Sequence, residues 1–265
     1  MTGDRPDLRG EQSNIDRNRP WAVFLDFDGT LVEIADRPNM VEVDPALPRL
    51  LADLRSGLAG AVALISGRSI ATLDRLLAPL RLDTAGLHGL EWRCAGHSHT
   101  VPSWMVDRLR EAVDVLRIET ADWPGVLVED KGATVAVHFR LALAHAPQVR
   151  GLVERTLRRL GPQFRLQTGK AVYEIVPIQA SKGRAVERFL SMPPYAGRRA
   201  VFAGDDATDE AAIAAVDELG GIAIRIGREG RSLAKVRISN PTELRRVLGE
   251  WTRTGALPLE LQTGG

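Results

Sequence analysis

The 265-residue chain has a single cysteine, Cys94, so it can form no internal disulfide and offers no multi-cysteine zinc site, and a reducing, cytoplasmic setting is the natural expectation. Lysine is almost as scarce. Of 35 basic residues only Lys131, Lys170, Lys182 and Lys235 are lysines, so a compact ammonium is kept for a few positions. Neither sign of charge prevails, with 35 Lys and Arg against 34 Asp and Glu, which excludes the basic field that nucleic acid or an anionic membrane selects. No run approaches the roughly 18 apolar residues of a membrane span. The first 19 residues, MTGDRPDLRGEQSNIDRNR, lack an apolar stretch and read as a disordered lead-in, not a signal peptide.

Several familiar motifs are also missing. As an EF-hand loop starting at Asp26, the chain has Leu31 and Arg37 where glycine and glutamate are required. Gly169-Lys170 is no P-loop, because Ala171 follows it and Phe164 stands where the first glycine belongs. There is no His-Glu-x-x-His zinc helix and no Gly-x-Ser-x-Gly elbow.

What is present is a 44% hydrophobic chain, enough for a sizeable core. AVFLDF (22–27), AVALIS (61–66), TAGLHG (84–89), RAVFAGDD (199–206) and GIAIRIG (221–227) read as buried strands. Residues 45–57, 70–80, 181–190, 208–219 and 241–251 read as helices. This alternation predicts an α/β fold with a parallel sheet covered on both faces. The rhythm changes in the middle, to a helix over 104–120, strands VLVED and TVAVHFR around a KGA turn, a second helix in APQVRGLVERTLRRLG, and a hairpin of FRLQT and AVYEIVP around Gly169-Lys170. The expected organisation is a core of residues 20–102 and 178–251, an α+β insert at 103–177, and a tail at 252–265.

Three apolar strands end in polar groups, in AVFLDFD, AVALISGR and RAVFAGDD, and the carboxyl ends of strands are where open α/β sheets bind ligands. LDFDGTLV places Asp26 and Asp28 on one side of a strand, and GDDATDE adds Asp205, Asp206 and Asp209. Like charges about 4 Å apart cost on the order of 4 kcal/mol per pair at an effective dielectric near 20, so the cluster calls for a cation. Oxygen donors without histidine favour Mg²⁺. Acidic capping of the following helix is the other reading of GDDATDE. Lys182 stands at a helix N-terminus, where it opposes the dipole, and is either a solvated surface lysine or a phosphate-facing one. Ser66, before Gly67 and Arg68, either caps the next helix or turns its hydroxyl and neighbouring amides to a phosphoryl oxygen. His138, on an apolar strand, reads as a histidine satisfied by its neighbours.

In this order, LDFDGTLV, ISGR, SKG and GDDATDE resemble the four motifs of the haloacid dehalogenase (HAD) superfamily of phosphohydrolases. GLHGLEWR (86–93), EDKGATVAVHFR (129–140) and GKAVYEIVP (169–177) resemble the trehalose-6-phosphate phosphatase family. The resemblance implies a HAD-like Rossmannoid core with an inserted α+β cap that sets specificity, and hydrolysis of trehalose 6-phosphate. It implies Asp26 as nucleophile and Asp28 as acid and base. Mg²⁺ would be held by Asp26, the backbone carbonyl of Asp28 and Asp205, with Asp206 or Asp209 in support. Ser66 and Lys182 would orient the phosphoryl oxygens, alongside Thr30, Gly67 and Arg68. Glu129, Lys131, Arg140, Lys170 and Glu174 are the implied sugar-binding set, with His88 and Glu91 shaping the junction of core and cap. A monomer with a small-molecule substrate is expected, and the upstream synthase is a candidate partner. The alternatives are another sugar phosphate (sucrose 6-phosphate, glucosylglycerol phosphate or a mannosyl phosphate) or a catalytically silent sugar-phosphate sensor.

Overall fold

The computed structural model describes residues 20–228 and 230–258; the expected lead-in, 1–19, and the end of the expected tail, 259–265, lie outside the described residues. Among the described residues, eight strands form one sheet in the order β12 (Val236–Ile238), β11 (Ile222–Ile226), β10 (Arg199–Gly204), β1 (Trp21–Leu25), β2 (Val62–Ile65), β3 (Asp83–Gly86), β4 (Glu91–Cys94) and β5 (His97–His99). Neighbours from β12 to β3 run parallel, and β4 and β5 are added antiparallel. Successive residues of β1 point to opposite faces. Val23 and Leu25 share a core with Leu51 of α1 (Leu47–Gly57) and Leu248 of α7 (Pro241–Thr254). Ala22 and Phe24 share the other with Phe189 of α5 (Lys182–Leu190) and Ile213 of α6 (Glu210–Glu218). Both faces are covered, which is why these strands are apolar throughout.

The chain leaves β1 toward β2 and β3 and later returns through β10 on the other side of β1. The winding therefore reverses between β1 and β10, where an open sheet leaves a crevice at its carboxyl edge. Leu25 pairs with Ala203, so Asp26 and Asp205 emerge together at that edge.

Residues 103–177 hold a separate four-stranded antiparallel sheet, ordered β6 (Leu127–Asp130), β7 (Val135–His138), β9 (Val172–Pro177) and β8 (Phe164–Gly169). Helices α3 (Ser103–Glu119) and α4 (Ala146–Leu160) cover one face, with Leu109, Val113, Val149 and Val153 packed in one cluster with Val135, Val137 and Ile175. The pleat sends the alternate residues the other way. Glu129, Ala136, Glu174 and Gln167 are cross-strand partners and form a row across the four strands, on the face turned to the first sheet. A small cluster of Leu87 and Leu90 with Ala133 and Val176 joins the two units beside that row.

Three local expectations need correction. The helix expected over 70–80 is α2 (Ile70–Leu76), because Pro79 disfavours helical backbone at the residue before it. The strand expected over 84–89 ends at Gly86, where Leu87 and His88 take positive φ in a single helical turn. Helix α7 continues to Thr254, past the expected start of the tail, and stops where Gly255 takes φ +68°. No helix among the described residues is long and apolar enough to cross a membrane.

Candidate active site

Asp26 is the first residue beyond β1, buried, with its N–H donating to Ala203 O at 2.9 Å. Lys182, the first residue of α5, donates to Asp26 Oδ1 at 2.8 Å and to Asp209 Oδ1 at 2.6 Å. It is buried, so the solvated reading of this lysine does not hold. Burial disfavours its ammonium, but Asp209 and Asp26 outweigh that and hold it firmly protonated. Burial in turn pushes the Asp26 carboxyl well above the usual carboxylate range, against Lys182 and with the help of Asp209 and Asp205.

The loop after β10 is organised by Asp209, whose Oδ2 accepts from the N–H groups of Asp205 (3.0 Å) and Asp206 (2.9 Å). The Asp206 side chain accepts from Ala207 N–H at 2.7 Å and, with Asp209 at the third helical position, forms a capping box. The capping reading of GDDATDE holds for Asp206 and Asp209, and Asp205 is left to face Asp26. The two strand ends meet so closely that a methyl at Gly29, which has φ +76°, would fall on the Asp205 carboxylate. Burial raises Asp205 to about 6, opposed by Lys170, whose Nζ reaches it at 2.5 Å from the β8–β9 turn.

Asp28 is gripped by Arg68 through two bonds, Nε to Oδ2 at 2.6 Å and Nη2 to Oδ1 at 2.7 Å, and Arg68 also donates to Pro38 O at 3.0 Å. Ser66 follows β2, buried, with its hydroxyl accepting from Arg68 N–H at 3.2 Å; the cap of the next helix is Ser69 instead. Gly67 beside it lines the same cleft. Thr30 is fully buried, its hydroxyl 3.5 Å from Asp26 Oδ2.

Across the cleft, Glu174 is buried and accepts from Thr134 Oγ1 (2.6 Å), Lys131 Nζ (3.2 Å) and the His88 ring (3.1 Å). Burial alone would raise its pKa, but Lys131 and His88 hold the carboxyl well below its ordinary range. Glu129 is bound to His138 Nε2 at 2.8 Å, which gives that histidine the satisfied role expected of it. Arg140 lines the wall and donates to Lys170 O at 2.8 Å. Glu91 is not at the core–cap junction: it accepts from Ile70 N–H at 2.6 Å at the start of α2. Gln167 and Thr134 escaped the reading of the sequence. Each is a strand or turn residue near a charged one, and only the cross-strand register brings them to Glu174.

Asp26, Asp28, Ser66, Lys182 and Asp205 on one side and Glu129, Lys131, Arg140, Gln167 and Glu174 on the other line one open cleft. Carboxylate oxygens of Asp26, Asp205 and Asp209 lie within 4.8 Å of one another, all buried. An all-oxygen set whose burial raises two carboxyls fits a hard divalent cation. Asp209 spends both oxygens on Lys182 and the two amides, whereas Asp26 and Asp205 each keep an oxygen outside their ion pairs, so Asp26 and Asp205 are best placed to hold it, with Asp209 in support.

The family model described as trehalose-phosphatase matches residues 24–239. A probable trehalose-phosphate phosphatase of Sinorhizobium fredii is 46% identical over 213 residues, covering 78% of this chain and 78% of that protein. The trehalose-6-phosphate phosphatase of Escherichia coli is 41% identical over 209 residues, covering 78% of this chain and 77% of that one. The crystal structure of a trehalose-6-phosphate phosphatase related protein superposes with a TM-score of 0.72 at 29% identity, covering 88% of this chain and 98% of that one. With the match spanning both sheets and the cleft between them, the chain belongs to the trehalose-phosphatase family of phosphatases.

Proposed function

We propose that the chain hydrolyses trehalose 6-phosphate to trehalose and phosphate, the last step of trehalose biosynthesis, through an aspartyl-phosphate on Asp26 and with Mg²⁺ as cofactor. One observation carries this reading: the phosphate-type groups Asp26, Ser66 and Lys182 face a polar row of Glu129, Glu174 and Gln167 across one cleft. A sugar phosphate has a charged end and a hydroxyl-rich end, and the two walls match them in that order.

Lys182 holds Asp26 Oδ1, which leaves Oδ2 as the attacking atom. As its bond to phosphorus forms, the bond to the sugar oxygen breaks, and Asp28 gives that oxygen a proton. Water then attacks phosphorus, Asp28 takes the water's proton, and Asp26 leaves with the electron pair. Arg68 must release Asp28 first, and the substrate's phosphate is a competing partner for its guanidinium. Mg²⁺ held by Asp26 and Asp205 supplies charge neutralisation at the phosphoryl oxygens. Lys182, Ser66 and the neighbouring amides orient the same oxygens. Lys131, with Glu129 and Glu174 close by, offers donors and acceptors to sugar hydroxyls, and a wrong sugar leaves buried groups unpaired. The contacts of Lys170 with Asp205 and of Lys131 with Gly67 across the cleft support a cap that closes over the substrate and opens to admit the disaccharide.

Phosphate release from trehalose 6-phosphate, sucrose 6-phosphate, glucosylglycerol phosphate and a mannosyl phosphate, with Mg²⁺ or EDTA, tests this. The expected result is preference for trehalose 6-phosphate, lost in EDTA and in Asp26→Asn. Equal turnover across the panel overturns the substrate assignment; activity that survives both EDTA and the substitution overturns the mechanism.

A further inference from the structure

His88 is wedged between the two halves of the site. Its backbone takes φ +57°, in the left-handed region that few side chains adopt without cause. Its N–H donates to Ser66 O at 2.9 Å, and its carbonyl accepts from Ser181 N–H at 2.7 Å, immediately before Lys182. A Cβ on Gly67 would lie 2.7 Å from the ring, and one on Gly89, at φ +92°, would lie 2.9 Å from Ser181 O. Both glycines are therefore needed for the Leu87–Gly89 turn to fit between the Ser66 loop and the start of α5.

The ring faces the other sheet. Glu174 Oε2, which can only accept, lies 3.1 Å from Nε2, so Nε2 carries the proton. The Gln167 amide nitrogen lies 3.0 Å from Nε2 and 3.3 Å from Nδ1, and its Oε1 accepts from Arg165 at 3.0 Å, so the amide turns its nitrogen to the ring between the two ring nitrogens. The ring thus donates to one member of the polar row, Glu174, and lies against the amide of another, Gln167. Burial lowers its pKa, with Glu174 opposing, which favours a neutral ring.

We infer that His88 is a positioning residue that fixes the distance between the phosphate-holding groups, Ser66 and Lys182, and the sugar-facing groups, Glu174 and Gln167. Its backbone belongs to the first set and its ring to the second. The inference rests on the proposed sugar-phosphate reading, and it makes His88 a determinant of discrimination for a phosphate carried on a disaccharide over one carried on a small flat alcohol.

The test compares kcat/KM for trehalose 6-phosphate and for p-nitrophenyl phosphate in the parent and in His88→Asn. Asparagine tolerates the left-handed backbone but is too short to keep both ring contacts. The ratio of the two kcat/KM values is expected to fall about 10- to 100-fold, the range for losing a hydrogen bond to a charged group. In a Glu174→Gln background, His88→Asn is expected to lower the ratio by less than about threefold, because its partner is already changed. Gln167→Leu, which leaves the turn intact, is expected to lower the ratio in the same direction by a smaller factor. It decides the matter if His88→Asn does not fold. Equal losses on both substrates, or full additivity with Glu174→Gln, overturn the inference. A parent that turns over p-nitrophenyl phosphate but not trehalose 6-phosphate overturns the sugar reading instead, so the two failures are distinguishable.

Discussion

Lys170 Nζ lies 2.5 Å from Asp205 Oδ2, so the tip of the β8–β9 hairpin places an ammonium on a carboxylate of the proposed metal site. The fit is close, since a Cβ on Gly169 would lie 2.7 Å from Asp206 Oδ2. An ammonium and a divalent cation compete for the same oxygen. Lys170→Met is therefore expected to tighten Mg²⁺ binding, read by calorimetric titration. With 47% of the lysine side chain exposed, the pair contributes no more than about 1 kcal/mol, so the gain is about two- to fivefold. Weaker binding in the variant would show that Lys170 supports the metal site.

Glu174 sets a pH dependence of stability. Its carboxyl is held below the unfolded value of about 4.3 by Lys131 and His88, against the effect of burial. A depressed carboxylate contributes stability that is full above the unfolded pKa and lost as pH falls through the folded one. Urea midpoints between about pH 6 and pH 3 should therefore fall more steeply for the parent than for Glu174→Gln. At pH 7 the variant should be destabilised by less than the roughly 3–5 kcal/mol of a broken buried pair, because Glu129 remains 4.0 Å from Lys131. Parallel acid limbs would assign the pH dependence to other groups.

The strand ends that carry Asp26, Ser66 and Asp205 were legible because strands buried on both faces write unbroken apolar runs, and a run that stops at an acid or hydroxyl marks its own carboxyl edge. The β4–β5 hairpin was not. Of its strands, EWRC is half-buried and HSH exposed, and its turn is Ala95-Gly96, where alanine takes φ +48° in place of the usual asparagine or aspartate. β12 was hidden for another reason: VRI is too short to show a period. Within the site, contacts between near neighbours such as Asp206 and Asp209 leave a spacing that a capping box explains. The bonds from His88 to Glu174 and from Lys170 to Asp205 join residues of different sheets, and no local pattern encodes how one sheet sits on the other.

Gly29→Ala tests how tightly the strand ends are joined. The substitution forces an L side chain to φ +76° and drives a methyl into the buried Asp205 carboxylate. The backbone alone costs roughly 1–2 kcal/mol. Moving Asp205 away from Asp26 should also weaken Mg²⁺ binding, about tenfold or more by the same calorimetric titration. A variant that unfolds earlier but binds Mg²⁺ as the parent does would separate the turn from the metal site.

Lys182→Met removes the only cation that touches both Asp26 and Asp209 among the described residues. Methionine keeps most of the side-chain volume, so the loss is one of charge, and two buried carboxylates are left facing each other. Breaking a buried pair of this kind costs roughly 3–5 kcal/mol, which for a chain of this size is on the order of 10 °C in Tm. A proton on Asp26 or a divalent cation can neutralise them, so at a pH above the raised range Mg²⁺ should raise the Tm of the variant by more than it raises that of the parent, with EDTA as the reference for each. Lys182→Arg should not restore the parent, because a planar fork does not fit between two carboxylates spaced for a point charge. If Mg²⁺ shifts the Tm of Lys182→Met no more than the parent's, the cation does not bind beside Asp26, and lysine and metal do not share the neutralisation of that carboxylate.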